Sequence, residues 1–395
     1  MVRIENPGEY LGAVPAGKLG IIALPGCERM ARQIDSYIVG WRREYAKTLP
    51  PGDIEHHYIR DSYLIDARID RFATGEAKAV ITQSVRGNDL FLLCDCFNWG
   101  VSYKMYGQER RTSPDEHFAN LKRVIGAAAG KERRLTVIMP MLYEGRQDAR
   151  SGRESLDCAM MLQELVQLGV DNIVTFDAHN PRVQNAVPNC GFENVPPIYQ
   201  MIKAIINNVP DINLHKDHLM VISPDEGGMK RSIFYSHMLG VDLGMFYKRR
   251  DYSTLKDGRN PIIAHEFLGD NVQGKDVVVV DDMISSGDSM IDVASKLKEL
   301  GAERVFCCAA FGLFSSGLAR VDAAYKAGLF DKIFTGDMIY TPPELQEREW
   351  HVSVRMSKYI SYIIDTLNHD MSISRLLNPA DRIQRLLVQR GYRIG

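Results

Sequence analysis

Short apolar runs followed by glycine, proline, aspartate or serine recur along the chain, and each run predicts a buried strand. The five clearest runs are residues 21–24, 89–93, 135–139, 219–222 and 277–280. Helical spacing of apolar positions separates several of them, as in residues 116–129 and 155–168. This alternation predicts an α/β fold with doubly wound, mainly parallel sheets that bind ligands at the carboxyl ends of their strands.

Two stretches of the chain resemble one another although they are far apart in the sequence. Residues 165–179 and 297–311 each contain a helix end, a Leu-Gly pair, a short turn and a strand-like apolar run. A Leu-Gly pair is typical of a helix C-terminus, because glycine accepts the left-handed conformation there. The recurrence favours two tandem α/β units of similar design, with a boundary in the proline-bearing stretch 195–199.

The strand predicted at 277–280 leads into the most informative motif of the chain, VVVVDDMISSGDSM. Asp281 and Asp282 follow the four valines, and an amphipathic helix begins after the loop 285–289. Such a loop offers backbone N–H groups and the positive end of a helix dipole, which suit a phosphate. The carboxylates beside it suit sugar hydroxyls, directly or through Mg²⁺. We therefore expect a sugar-phosphate site here rather than an ordinary polar turn.

Composition and charge narrow the class of protein. The 395 residues are 45% hydrophobic and 25% charged with a net charge of −2, so we expect neither a nucleic acid nor a membrane as partner. No apolar run approaches the length of a membrane span, and the N-terminal residues lack a signal-peptide pattern. The seven cysteines have no zinc-site spacing, which predicts free thiols and a cytoplasmic location.

Two further motifs place carboxylates after predicted strands. In TFDAHN, Asp177 and His179 suit a divalent metal, although a histidine that merely caps a strand gives the same pattern. In SPDEGG, Asp225 stands at a strand end as Asp281 does, and two glycines allow a ligand to approach the backbone. The alternative for this second motif is a glycine turn before a helix.

Two other motifs carry cations. In GRQD, Arg146 and Gln147 suit triphosphate oxygens and the edge of a base, or they belong to a solvated loop. In YKRRDYS, Lys248 and Arg250 precede a polar stretch at 251–260. A mobile cationic loop that closes on a phosphate-transfer site has this composition, and so has an ordinary surface loop.

In this order, the motifs resemble those of the ribose-phosphate diphosphokinases, which are also named phosphoribosyl-pyrophosphate synthetases. Counterparts exist there for QSVRGNDLFLL, GRQD, TFDAH, SPDEGG, YKRR and VVVVDDMISSGDS. The resemblance runs from about residue 20 to residue 378 and implies two tandem phosphoribosyltransferase-like domains. It also implies an enzyme that transfers the diphosphate of ATP to the C1 hydroxyl of ribose 5-phosphate, giving AMP and phosphoribosyl pyrophosphate.

The resemblance further implies roles for individual residues. It implies that Lys248 and Arg250 stabilise the transition state. It implies that His179 and Asp225 bind the Mg²⁺ that accompanies ATP. We expect Arg146 and Gln147 to bind ATP. We expect Phe72, Thr74 and Glu76 to contact the adenine of the ATP bound to a neighbouring subunit. The implied binding site for ribose 5-phosphate consists of Asp281, Asp282, Ser285, Ser286, Gly287, Asp288 and Ser289. The implied binding site for a regulatory phosphate or ADP consists of Ser84, Arg86, Ser315 and Ser316.

These implications divide the chain into three parts. We expect an N-terminal domain on the ATP side at 18–195, a C-terminal domain on the ribose 5-phosphate side at 196–350, and C-terminal helices with a tail at 351–395. Helical spacing at 350–368 and 381–395 predicts those helices. ATP and ribose 5-phosphate are the expected substrates, and a homo-oligomer, either a dimer or a hexamer, is the expected assembly.

The chain departs from the family pattern at several positions. Thr74-Gly75 replaces the usual Asn-Gln, and an insertion lies around 99–113. Ser285 stands where many members carry an acidic residue, and Asp288 replaces a common glycine. Two other functions remain to be weighed against the synthetase, namely a non-catalytic regulatory subunit of a synthetase complex and a phosphoribosyltransferase. The metal and cation motifs upstream of residue 281 favour the synthetase, because neither alternative has a chemical need for them.

Overall fold

The computed structural model describes residues 14–49, 58–250 and 262–392, apart from the side chains of 248–250 and 262–265. These residues form two compact units. Unit 1 holds the described residues up to Pro196, Met338–Tyr340 and Arg355–Asn378. Unit 2 holds Pro197–Asp337, Thr341–Val354 and the described residues from Pro379 onwards. The segment from residue 351, which is predicted as a separate third part, is thus shared between the two units.

The first half of the chain builds most of unit 1. Its elements are β1 (Lys18–Ala23), α1 (Glu28–Ala46), β2 (Ala67–Arg71), β3 (Ala77–Ile81), β4 (Asn88–Leu93), β5 (Ser102–Met105), β6 (Gln108–Arg111), α2 (Pro114–Ala128), β7 (Arg134–Ile138), α3 (Asp157–Gln167), β8 (Asn172–Phe176), a 3-10 helix (Pro181–Ala186) and β9 (Gly191–Val195).

The second half builds unit 2 and returns two helices to unit 1. Its elements are α4 (Ile198–Asn208), β10 (Leu219–Ser223), α5 (Met229–Leu239), β11 (Asp242–Arg250), β12 (Ile262–Leu268), β13 (Asp276–Ile284), α6 (Asp288–Glu299), β14 (Val305–Gly312), α7 (Ala319–Lys326), β15 (Lys332–Gly336), α8 (Pro343–Gln346), β16 (His351–Val354), α9 (Ser357–Asn368), α10 (Ser374–Leu377) and α11 (Ala380–Gln389). Helices α9 and α10 belong to unit 1.

A five-stranded parallel sheet forms the centre of unit 1, in the order β1-β4-β7-β8-β9. One apolar cluster joins Leu90 and Leu92 of β4 to Val124 of α2 and Leu162 of α3, and none of these side chains is more than 1% exposed. All six residues of β4 are buried. After Asn88 and Asp89 the strand is apolar without alternation, because both of its faces are covered.

Two antiparallel hairpins accompany this sheet. The first pairs β2 with β3, and the second pairs β5 with β6 inside the insertion recognised in the sequence. Tyr106 and Gly107 form the two-residue turn of the second hairpin, with φ of 49° and 78°. Positive φ at both central residues is the signature of the turn type that matches the twist of a hairpin.

A seven-stranded sheet forms the centre of unit 2, in the order β12-β11-β10-β13-β14-β15-β16. Every neighbouring pair is parallel except β11 with β12. Helix α6 packs on β13 and β14 through apolar side chains such as Val293 and Leu297, which are buried. The carboxyl ends of β10, β13 and β14 therefore share one edge of the sheet.

The five predicted strands and the helices predicted at 116–129 and 155–168 are confirmed. Gly169 and Gly301 follow α3 and α6 with φ of +93° and +88°, as the Leu-Gly pairs predict. The helix predicted from residue 350 is wrong in its first part. His351–Val354 is the edge strand β16, because the alternating sequence His-Val-Ser-Val pairs with β15, and α9 begins only at Ser357. Of the helix and tail predicted at 381–395, the helix is present as α11, which ends at Gln389, and residues 393–395 lie outside the described residues.

Among the described residues, no helix combines the length and the apolar character that crossing a membrane requires.

Candidate active site

The paired carboxylates Asp281 and Asp282 lie in the last part of β13, at the centre of the sheet of unit 2. The Asp282 side chain is buried, and its backbone N–H donates to Asp281 Oδ1 over 2.8 Å. Burial, together with the hydrogen bond and the negative charge of Asp282, raises the pKa of Asp281 well above its usual range. The Arg231 guanidinium opposes this, since its Nη1 lies 3.9 Å from Asp281 Oδ1.

The loop that follows β13 reaches the N-terminus of α6, as the sequence predicts. Gly287 caps this helix with φ of +94°, and a Cβ there would lie 3.1 Å from Val321 Cγ2. The backbone therefore needs glycine at position 287. Its neighbours bind one another, because the Ser286 hydroxyl donates to Asp288 Oδ2 over 2.9 Å and accepts from the Asp288 N–H over 3.3 Å.

Asp288 also forms an ion pair with Arg320, the second residue of α7. Both side chains are partly exposed, Asp288 to 43% and Arg320 to 68%. An anion at the start of α6 would otherwise add to the charge of a bound phosphate. Arg320 offsets that charge at the one position of the loop where this chain carries a carboxylate instead of the common glycine.

The loop after β10 lies at the same edge of the sheet, because Ile222 of β10 pairs in parallel register with Val279 of β13. Asp225 Oδ1 accepts the Gly228 N–H over 3.2 Å, so the carboxylate shapes the turn that starts α5. A Cβ on Gly228 would lie 3.0 Å from Ser223 Oγ and 3.5 Å from the carbonyl of Val280, which explains the glycine. SPDEGG thus forms a glycine turn before a helix, and this turn lies at the edge of the sheet that the ligand interpretation also requires.

Strand β11 extends beyond the end of β10. Its pairing with β10 stops at Met245, whereas its pairing with β12 continues to Arg250. The backbone of Lys248 and Arg250 is therefore in a strand and not in a loop, which corrects the sequence-based expectation. The side chains of both residues, and the polar stretch at 251–261, lie outside the described residues.

In unit 1, the loop after β7 carries Arg146 and Gln147. The Gln147 side-chain amide donates to the carbonyl of Ser155 over 3.0 Å, so it holds the loop closed. Arg146 is exposed and forms no ion pair with any residue that the structure describes. Its guanidinium is thus available to an anionic ligand.

The loop after β8 carries His179 and lies beside the GRQD loop. The Asn180 amide donates to Asp148, which joins the two loops directly. Asp177 has φ of 41°, so the strand geometry ends before it, and the alternation that would align its side chain with that of His179 is lost. His179 is exposed at the carboxyl edge of the sheet of unit 1.

The adenine-contacting segment expected from the resemblance is the loop of the β2–β3 hairpin. The Phe72 N–H donates to the carbonyl of Glu76 over 2.8 Å, which closes the loop, and the Phe72 side chain is 54% exposed. The Thr74 hydroxyl donates to Glu76 Oε2 over 3.0 Å. Phe72, Thr74 and Glu76 therefore lie together on one tight turn at the surface of unit 1.

The four residues that the resemblance links to regulation fall into two groups. Ser84 and Arg86 precede β4 and so lie at the amino edge of the sheet of unit 1, opposite the loops of Arg146 and His179. Ser315 and Ser316 follow β14 in unit 2. The Ser315 N–H donates to the carbonyl of Ser285 over 2.9 Å, which ties this segment to the sugar-phosphate loop.

Three further residues of interest, Arg231, Arg320 and Asp95, lie outside the motifs that the sequence indicates. Arg231 follows SPDEGG so closely that its cation could have been recognised beside the carboxylate pair. Asp95 follows the buried strand β4 and is itself buried, which raises its pKa to about 7 although the N–H groups of Tyr340 and Phe97 donate to it over 2.7 and 3.0 Å. Arg320 has no sequence signal, because it stands in an unremarkable helix start.

The residues present are compatible with Mg²⁺ bound chiefly by a nucleotide. Among the described residues, no group of three or more His, Cys, Asp and Glu side chains is arranged to hold a metal ion. Mg²⁺ in nucleotide sites takes one or two protein ligands and completes its shell with water and phosphate oxygens. Asp225 offers one carboxylate and His179 one imidazole, each at the carboxyl edge of its own sheet.

Comparisons with known proteins agree with this architecture. Residues 19–169 match the model of the N-terminal domain of ribose phosphate pyrophosphokinase, and residues 192–338 match the phosphoribosyl transferase domain. A crystal structure of phosphoribosylpyrophosphate synthetase from Mycobacterium smegmatis superposes with a TM-score of 0.68 at 20% identity, covering 89% of this chain and 99% of that one. The fold is therefore two tandem phosphoribosyltransferase-like domains.

Curated relatives place the chain in a family. The ribose-phosphate pyrophosphokinase of Vibrio cholerae is 29% identical over 322 residues, which cover 79% of this chain and 91% of that protein. The ribose-phosphate pyrophosphokinase of Clostridium acetobutylicum is 30% identical over 256 residues, which cover 63% of this chain and 71% of that protein. The chain belongs to the ribose-phosphate pyrophosphokinase family.

Proposed function

We propose that this protein transfers the diphosphate of ATP to the C1 hydroxyl of ribose 5-phosphate, giving phosphoribosyl pyrophosphate and AMP. One observation carries the proposal, namely the Asp281–Asp282 pair at the end of β13 followed by the loop 285–289 at the N-terminus of α6. A carboxylate pair binds two neighbouring hydroxyls, and a helix start binds a phosphate. Ribose 5-phosphate carries both groups.

In this account the sugar is held at both ends. Asp281 and Asp282 accept hydrogen bonds from the ribose hydroxyls. Ser285, Ser286, Gly287 and Ser289 surround the 5-phosphate with backbone N–H groups and hydroxyls. Fixing the sugar in this way places its C1 hydroxyl for in-line attack and removes much of the entropic cost of the reaction.

Residues of unit 1 bind ATP in this proposal. Arg146 supplies a cation to the triphosphate, and Gln147 shapes the loop that presents it. Phe72 supplies an exposed aromatic ring for the purine, while Thr74 and Glu76 supply polar groups on the same turn. Because Phe72 stands exposed on a hairpin, we propose that it contacts the nucleotide of a neighbouring subunit in a homo-oligomer, either a dimer or a hexamer.

We propose His179 and Asp225 as protein ligands of the Mg²⁺ that accompanies ATP. When bound, the ion neutralises charge on the phosphate oxygens and polarises the β-phosphorus for attack. Lys248 and Arg250 then supply positive charge to the oxygens that gain charge in the transition state. One well-placed group of this kind lowers a barrier by about 3 kcal/mol.

We further propose that Ser84, Arg86, Ser315 and Ser316 bind a regulatory phosphate or ADP. The hydrogen bond between Ser315 and Ser285 supports this, since it gives an effector at Ser315 a direct route to the sugar-phosphate loop. A cytoplasmic location is proposed too, and the seven cysteines, all of which are free thiols, support it.

The reaction is tested by an assay for AMP that contains ATP, Mg²⁺ and ribose 5-phosphate, with each component omitted in turn. The variant Asp281→Asn/Asp282→Asn should lower kcat/KM by about a hundredfold, because two charge-assisted hydrogen bonds are weakened. Asp292→Asn, which removes an exposed carboxylate from α6, the helix that follows the loop 285–289, is the matched control and should retain full activity.

Other outcomes of this assay would replace the proposal. A protein that binds both substrates but forms no AMP would be a regulatory subunit of a synthetase complex. A protein that consumes phosphoribosyl pyrophosphate and a base, and forms no AMP from ATP, would be a phosphoribosyltransferase.

A further inference from the structure

The inserted hairpin β5–β6 contacts the loop of the β2–β3 hairpin. The Tyr106 N–H, at the tip of the insertion, donates to the carbonyl of Ala73 over 2.8 Å. Ala73 lies between Phe72 and Thr74 in the turn of the β2–β3 hairpin. A backbone hydrogen bond of this kind fixes the distance between the two hairpin tips.

Side-chain packing joins the same two tips. Gly75 has φ of +96°, and a Cβ on it would lie 2.7 Å from Met105 Sδ. Met105 of the insertion therefore fills the space that any side chain at position 75 would need. Two departures from the family pattern, the Thr74-Gly75 pair and the insertion, are thus parts of one packing arrangement.

A chain of polar contacts fastens this arrangement to α2. Arg71 Nη1 donates to the carbonyl of Gly75 over 2.9 Å, and the Arg71 guanidinium lies 4.1 Å from the centroid of the Tyr103 ring. The Tyr103 hydroxyl donates to the Glu116 carboxylate. Glu116 also accepts the Ser113 N–H over 2.9 Å in the capping box of α2.

The charges in this chain of contacts complement one another. Arg71 Nη1 lies 3.5 Å from Glu116 Oε1, and the Arg71 side chain is only 13% exposed. Although partial burial opposes the change, hydrogen bonds from Tyr103 and Ser113 and the charge of Arg71 lower the pKa of Glu116. The ring of Tyr103 is thus held between a cation and an anion, and its orientation is fixed.

We propose that the insertion β5–β6 positions the Phe72–Glu76 loop for the purine of ATP, with Tyr103 as the positioning residue. The inference rests on the proposed function, because that function assigns the loop to adenine. Tyr103 itself touches no substrate in this account. It acts by restricting the turn to the conformation in which Phe72 is presented, so the ordering is complete before the nucleotide binds.

Three variants test the proposal. Tyr103→Ala removes the ring and the hydroxyl, and Tyr103→Phe removes only the hydroxyl. Lys104→Ala is the matched control, because Lys104 is exposed and points to the opposite face of the same strand. We expect Tyr103→Ala to raise the KM for ATP by about tenfold and Tyr103→Phe by about threefold. The kcat and the KM for ribose 5-phosphate should stay within about twofold of wild type.

Equilibrium binding of AMP, measured by calorimetry, separates this inference from the proposed function. AMP carries the purine, and its binding affinity can be measured without turnover of the enzyme. If the wild-type protein binds AMP without forming it from ATP, a tenfold weaker AMP affinity in Tyr103→Ala would still support the role of the insertion while the reaction is rejected. Equal effects of Tyr103→Ala on both substrates would show a general structural role and overturn the inference, and so would an unchanged KM for ATP. Tyr103→Phe retains the ring, so it keeps the test decisive if Tyr103→Ala does not fold.

Discussion

Arg320 at the start of α7 forms an ion pair with Asp288 at the start of α6. Both side chains are partly exposed, so the pair contributes little to the stability of the fold. Its position at the loop 285–289 means that the pair affects the charge around a bound ligand instead. Asp288 brings a negative charge to the loop proposed for the 5-phosphate of the sugar, and Arg320 is the cation that offsets it.

Arg320→Ala should therefore raise the KM for ribose 5-phosphate by about fivefold, because the carboxylate of Asp288 would then repel the phosphate without compensation. In the background of Asp288→Gly the same substitution should have little effect. Steady-state kinetics of the two single variants and the double variant measure this coupling. Additive effects of the two substitutions would show that the ion pair does not act on the sugar phosphate.

Lys248→Ala should lower kcat by about a hundredfold or more while the protein remains folded, because a cation that stabilises the transition state is removed. Circular dichroism checks the fold, and the AMP assay measures kcat. Lys296→Ala removes an exposed lysine from α6 and serves as the control. Unchanged turnover in Lys248→Ala would remove β11 from the mechanism.

The buried ion pair between Arg42 of α1 and Asp365 of α9 makes a prediction about stability. Arg42 Nη2 lies 2.7 Å from Asp365 Oδ1, and both side chains are at most 2% exposed. Asp365→Asn should lower the free energy of unfolding by about 3 kcal/mol, because the Arg42 charge would stay buried without its counter-ion. Urea denaturation measures the change. Glu44→Gln breaks an exposed pair between Glu44 of α1 and Lys47, the residue that follows this helix, and should leave stability nearly unchanged. An equal loss in both variants would contradict the prediction.

His351 predicts a pH dependence of stability. Burial lowers the pKa of His351 from 6.5 to about 4, although a hydrogen bond with the Leu345 backbone opposes the shift, and the Thr335 hydroxyl lies 2.8 Å from its Nε2. The unfolded chain takes up a proton before the folded one does. The contribution of neutral His351 is thus fully present above about pH 6.5 and is lost as pH falls towards about 4, by at most about 3 kcal/mol.

Thermal unfolding of wild type and His351→Gln at a series of pH values checks this expectation. The difference in Tm between the two proteins should shrink as the pH falls from 7.5 to 4.5, since only the wild type loses the contribution of a buried neutral imidazole. A difference that is constant over this range would show that His351 does not titrate differently in the folded and unfolded chains.

Local sequence patterns were sufficient for the strands and loops that build the candidate site. The valines at 277–280 predict a strand buried on both faces, and Asp281 and Asp282 lie at its end because a parallel sheet collects such ends at one edge. The same reasoning brought Asp225 to the edge that Asp281 occupies. These predictions succeed because the strand, the turn and the helix cap are all encoded within about fifteen residues.

Features that depend on distant partners were not predictable in the same way. Helical spacing from residue 350 predicts a helix that includes His351–Val354, yet pairing with β15 makes this segment a strand. Nothing in the sequence around Arg320 indicates that it meets Asp288, because the two residues come from separate helices. The need for glycine at position 75 likewise depends on a distant residue, because Met105 of the insertion lies against it.

The proposed reaction transfers the diphosphate of ATP intact, and ATP labelled at its γ-phosphate reveals whether it does. The protein would be incubated with labelled ATP, Mg²⁺ and ribose 5-phosphate, and the products would be separated. We predict that the label moves to a sugar diphosphate in amounts equal to the AMP formed. Label released as inorganic phosphate together with ADP, or retained entirely in ATP, would rule out the transfer of diphosphate to the sugar.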